Sequence, residues 1–280
     1  MDVKQTLRIV GGKLVKALKA IARFFTPLEE FSPKVMRVYS FFLATIFLLC
    51  WTFLKLPFIP TFGEVLNAFA VLWKTRGLFD ELSTSLMLNM IALATSTIIA
   101  FSLAYLYTIP GLRPIIRWLT KLRFLGFTGL VFIFTLYIGS GMELRFSLML
   151  FAVTWFYLTA LVAIVRNIPD YRYDHAYTLR MGPWRTVWEV VVLGTLADML
   201  GTMVQFAAYG WAMLTAVEGL SRSKGGLGVM ILNSDKYLKI PEIFAMVFTV
   251  LLLGMILDAV ITFSIAKACP SAFLQSGRRL

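Results

Sequence analysis

Apolar residues in this chain gather in runs close to twenty residues long, and nothing else in the sequence narrows the fold as sharply. Such runs occupy residues 35–54, 82–109, 124–138, 146–165, 199–217 and 243–266. Crossing a hydrocarbon layer about 30 Å thick takes roughly 20 helical residues, and a helix satisfies its own backbone hydrogen bonds without water. Hydrophobic residues make up 59% of the 280, and charged residues 15% against the roughly one quarter of a soluble domain. The pattern predicts an all-α membrane protein with about six transmembrane helices.

The net charge of +12 does not point to nucleic acid, because Lys and Arg sit in the connectors and form no basic face interleaved with aromatics. Most of them fall in four segments: the N-terminal stretch, the link holding Arg113, Arg117, Lys121 and Arg123, the stretch 166–185, and the C-terminal tail. The positive-inside rule places those segments, and with them both termini, in the cytoplasm. The weakest point of that bias is the loop with Arg222, Lys224, Lys236 and Lys239. Three segments follow: a cytoplasmic stretch 1–34, a transmembrane domain 35–268 and a tail 269–280. Within the first, Leu7, Val10, Leu14, Leu18, Ile21 and Phe25 recur at helical spacing among lysines and arginines, which predicts an amphipathic helix lying in the membrane surface. Cys50 and Cys269 lie at different depths and predict no disulfide.

Polar residues inside the apolar runs are informative. Asp198 either caps a span beginning at residue 199, leaving 186–196 as a surface helix, or stands in the membrane as a carboxylate. Gln205, Tyr209 and Trp211 are candidates for lining a pathway and equally for hydrogen bonding between helices. Asp258 is expected to pair with a neighbouring helix. Residues 56–81 read as a long mixed connector, and Gly139-Ser140-Gly141 as a tight turn. No catalytic residue is expected: His175 stands alone, and Gly225-Gly226-Leu227-Gly228 lacks the Lys-Ser/Thr that completes a phosphate-binding loop. The chain carries no metal site and no cofactor site in its sequence, so if ATP drives it, another chain binds the nucleotide.

The stretch from Asn167-Ile168-Pro169 through Asp174, His175, Ala176, Tyr177, Thr178, Gly182, Trp184 and Arg185 reads as a short helix, a glycine turn and a second helix. It resembles the coupling loop of permeases of ATP-binding-cassette (ABC) importers, in which a Glu-Ala-Ala sequence precedes a glycine by six residues. Gly182 matches that glycine, and Ala176, Tyr177 and Thr178 take the Glu-Ala-Ala positions without the glutamate. Leu193-Gly194 and Asp198 stand where the family has Leu-Pro and a second proline. The resemblance runs on through Phe62-Gly63-Glu64, Glu81-Leu82-Ser83-Thr84-Ser85, Gly139-Ser140-Gly141, Glu218, Gly226-Leu227-Gly228 and Gly254 with Asp258, in the order of the nitrate, sulfonate and taurine subgroup.

That resemblance implies a type I importer permease fold in a bacterial inner membrane, with the coupling loop at about 166–197. It implies a second permease subunit, two cytosolic ATPase subunits that hold ATP and Mg, and an extracytoplasmic substrate-binding protein. Asp174, Ala176, Tyr177, Thr178, Gly182, Trp184 and Arg185 would meet the ATPase; Glu218, Arg222 and Lys224 would lie near the binding protein. The solute would be a small anion such as a sulfonate or nitrate, or a vitamin or its precursor. A membrane enzyme, or a scaffold that no longer transports, are the readings from other classes. The spans hold almost no Lys or Arg, so the sequence marks no fixed positive charge along an anion path.

Overall fold

A computed structural model describes residues 32–53, 59–221 and 225–268. The amphipathic stretch at 4–25 and the tail 269–280 lie outside the described residues. The chain divides into two compact units, Met1–Leu56 and Pro57–Leu280. In the first, α1 (Pro33–Phe53) is a helix long and apolar enough to cross a membrane.

The second unit begins with α2 (Phe62–Thr75), where the sequence suggests only connector. Its start is a capping box: Thr61 and Glu64 close on each other, the Thr61 N–H donating to Glu64 Oε2 at 3.1 Å. Val65, Ala68 and Leu72 form its buried stripe, set against α11 (Ile240–Ala268). The apolar face is too narrow to register as a span and wide enough to dock a helix.

Three long helices form the core: α3 (Leu78–Leu106), α6 (Met142–Arg166) and α9 (Gly194–Ser221). On α3 the buried positions Ser85, Asn89, Ala92, Ser96, Ala100 and Ala104 recur every three or four residues and are small or medium-sized, with Leu88 and Leu93 buried beside them. In a bilayer there is no hydrophobic drive between helices, so close approach of such small residues supplies the packing. The bulk comes from α6, whose Leu144, Leu148, Met149, Val153, Tyr157, Leu158 and Leu161 are almost wholly buried. By contrast α11 turns Leu251, Leu252, Met255, Ile256, Val260 and Phe263 outward, a surface suited to hydrocarbon.

Among the described residues five helices are long and apolar enough to cross a membrane, or six if a bent pair counts as one span. The pair joins α4 (Arg113–Leu119) and a 3₁₀ turn (Thr120–Phe124) to α5 (Phe127–Ile138), with a bend of 104°. At about 1.5 Å per residue α5 is roughly 18 Å long, too short to cross alone. The expected third span is therefore a broken element, interrupted where Leu125 and Gly126 are extended. Gly139 (φ 84) and Gly141 (φ 131) then make the turn into α6 in conformations that favour glycine.

Asp198 caps nothing. The helix is continuous over Pro183–Ser221: α8 (Pro183–Thr186), a π-helical segment (Val187–Leu193) and α9, with Asp198 exposed inside the last. A π turn holds an extra residue, which shifts the apolar phase and imitates a break in the sequence pattern.

Candidate functional site

The core helices have two ends, and each gathers chemistry. At one, α3 and α6 begin, α9 ends, and α10 (Leu227–Lys236) lies between α9 and α11. The first amides of α10 have no partner within the helix. Side chains from two other helices supply them: Gly226 N–H donates to Glu81 Oε2, Leu227 N–H to Ser85 Oγ at 3.4 Å, and Gly228 N–H to Glu218 Oε2 at 2.9 Å. Ser85 Oγ in turn donates to Glu218 Oε1 at 2.5 Å, and Arg145 Nη1 stands 4.0 Å from the same carboxylate. Glu218 is 0% exposed and Arg145 3%. Glu218, expected to lie near a binding protein, has its carboxylate taken up inside the protein by an amide, a hydroxyl and a guanidinium. Arg222 and Lys224 lie outside the described residues.

The glycines here are needed for space. A Cβ at Gly226 would come within 2.6 Å of Glu218 Cδ, and one at Gly228 would fall on the Thr215 carbonyl oxygen. A second ion cluster extends the same end, where Glu242 accepts from Ser234 Oγ at 3.1 Å and pairs with Arg76 at 3.0 Å and Lys239 at 3.4 Å.

At the opposite end α7 (Asp170–Thr178), a turn and α8 form a hairpin. The turn is a complete Schellman motif: Arg180 N–H donates to the Tyr177 carbonyl at 2.9 Å and Met181 N–H to that of Ala176 at 3.1 Å. The left-handed residue is Arg180 (φ 52), and Gly182 (φ −68, ψ 160) merely starts α8. The expected glycine turn is corrected to an arginine one. Ala176 is buried; Asp174, Tyr177, Thr178, Gly182, Trp184 and Arg185 are exposed, Trp184 at 76%. Arg172 braces the hairpin, its Nη1 donating at 3.3 Å to the Gly194 carbonyl where the π segment returns to α-helix.

Between the ends, the three expected pathway residues separate. Trp211 is buried and its Nε1 donates to the Val250 carbonyl at 2.8 Å, tying α9 to α11. Gln205 is exposed. Tyr209 alone lines a pocket, of about 180 Å³, together with Arg123, Leu130, Phe151, Trp155 and Phe156. Residues 151–156 sit near the middle of α6, roughly 15 Å from either end at about 1.5 Å per residue. The 3₁₀ turn therefore brings Arg123 to a pocket lined by the middle of α6, and its guanidinium lies 4.8 Å from the Phe124 ring centre. The sequence hides this charge inside what reads as a basic connector. Asp258 is exposed on α11 and makes no ion pair among the described residues.

Sequence reasoning also passes over Arg145 as a partner of Glu218 and Glu81 as the acceptor for Gly226 N–H. The available signal is an arginine in the first turn of a span four residues after a Gly-Ser-Gly turn, a costly place for a charge without a partner. Among the described residues no group of His, Cys, Asp and Glu is arranged to hold a metal ion. Compared with known proteins, the chain matches no family model and no curated protein at a significant level.

Proposed function

We propose that this chain is the membrane-spanning permease subunit of an ATP-driven importer, moving a small solute and performing no covalent chemistry. The observation that carries the reading is the exposed hairpin α7–α8, whose second arm runs on as one helix to Ser221 at the far end of the core. A rigid knob joined to a spanning helix in this way transmits the closing of cytosolic ATPases into the membrane. ATP and Mg belong to those ATPases; a second permease copy or a close relative and an extracytoplasmic binding protein complete the assembly. On this reading the hairpin and both termini are cytoplasmic, in a bacterial inner membrane.

Arg123 in the lining of this pocket favours a small anion such as a sulfonate or nitrate as the solute, since a guanidinium among apolar walls attracts anions. The rings of Phe151, Trp155, Phe156 and Tyr209 around it favour a second substrate reading, a flat ring-bearing vitamin precursor.

The test is co-purification from detergent-solubilised membranes, comparing wild type with Gly182→Trp. No atom lies within 4 Å of a Cβ at Gly182, so the bulky side chain blocks a partner without disturbing the fold. The expected result is an ATPase that accompanies wild type and is reduced at least about tenfold in the variant. Wild type that brings down no ATPase overturns the reading.

A further inference from the structure

We propose that the cavity behind the hairpin binds the phosphodiester headgroup of an anionic phospholipid. The cavity, about 650 Å³, opens where α3 and α6 end, at the level at which lipid headgroups meet a spanning helix. Its polar wall holds Arg113, Arg166, Asp170, Tyr173 and Tyr177, and its inner wall is apolar, with Val165, Ile168, Val187 and Val191. A water-filled crevice has no use for that division; an amphiphile with a charged head does.

The charge also fits. Two guanidinium groups and one carboxylate leave a single positive charge in surplus, matching the single negative charge of a phosphodiester. Arg113 is already fixed, its Nε donating to the Tyr107 carbonyl and its Nη2 to that of Thr108, both at 3.3 Å, so little side-chain entropy remains to be lost on binding. Burial pushes the Tyr173 hydroxyl above its ordinary range, an effect Arg113 partly offsets and Asp170 and Tyr177 reinforce; the group stays a proton donor to a phosphate oxygen. Arg166 is exposed beside this fixed set and supplies the second cation. Basic pockets between spanning helices at a membrane face are a recurrent form of headgroup recognition. The inference needs the membrane and does not depend on transport.

The full chain in mild detergent is titrated separately with phosphatidylglycerol, phosphatidylcholine and inorganic phosphate, reading retained lipid by native mass spectrometry and the thermal midpoint. Phosphatidylglycerol is expected to be retained and to raise the midpoint, phosphatidylcholine to do neither, and millimolar phosphate to displace nothing. Arg166→Glu, at an exposed site, is expected to keep the lipid-free midpoint and to lose about fivefold or more of the phosphatidylglycerol retention, with Arg166→Lys restoring most of it. Equal retention of the two lipids, an unchanged Arg166→Glu variant, or displacement by inorganic phosphate overturns the proposal.

Discussion

The two ends of the helical core handle polar groups in opposite ways. Around Glu218 the polar side chains are buried and tied to partners, the glycines are required for space, and helix α10 takes its caps from α3 and α9. Around the hairpin, large aromatic side chains face outward, the turn holds an arginine in a left-handed conformation, and a cavity lies behind it. Apolar packing holds both ends, since Tyr107, Leu161, Val165, Ile168 and Val191 are buried beside the hairpin. What differs is the use of polar groups: one end ties them together inside the protein, and the other presents them at a surface.

The sharpest way to break this contrast is Glu218→Ala, which removes a buried carboxylate from Arg145, Ser85 Oγ and Gly228 N–H at once; the expected loss is about 3–5 kcal/mol, read from chemical unfolding in micelles. A loss under about 1 kcal/mol would mean that the buried end contributes little to holding the helices. Gly228→Ala should cost about 1–3 kcal/mol through overpacking on the Thr215 carbonyl, whereas Gly182→Ala at the hairpin should stay within about 0.5 kcal/mol. Equal costs for the two glycines would erase the distinction. The smallest effect runs the other way: Arg180→Gly relieves the left-handed strain and should stabilise the hairpin by about 0.5–1 kcal/mol, measured as slower amide exchange in residues 170–186.

Much of the fold is legible in the sequence because long apolar runs leave a chain few options. Thus α3, α6 and α11 appear within a few residues of their runs. What escapes is structure that does not repeat with the helical period. The π segment displaces the apolar phase before α9, so a single helix reads as two with Asp198 between them. The capping box of Thr61 and Glu64 is written in the sequence and marks α2, but its weak apolar stripe is lost beside the spans. The site is less legible than the fold. Tyr209 is recognisable as a polar tip in an apolar run, but its meeting with Arg123 in one pocket depends on a 104° bend that local sequence does not encode. Glu218 stands at the end of a span, where a solvated carboxylate is the ordinary expectation, and its side-chain partners Ser85 and Arg145 come from far away in the chain.

That distance governs the order in which the protein can be completed. Gly226 meets Glu81 across 145 residues and Leu227 meets Ser85 across 142. During synthesis α3 and α6 are made long before α10 exists, and until it arrives the carboxylates of Glu81 and Glu218 lack the amides that receive them. Any chain halted before Gly226 is therefore left with two acidic groups short of the amides that receive them in the finished protein, a chemical mark separating unfinished copies from mature ones.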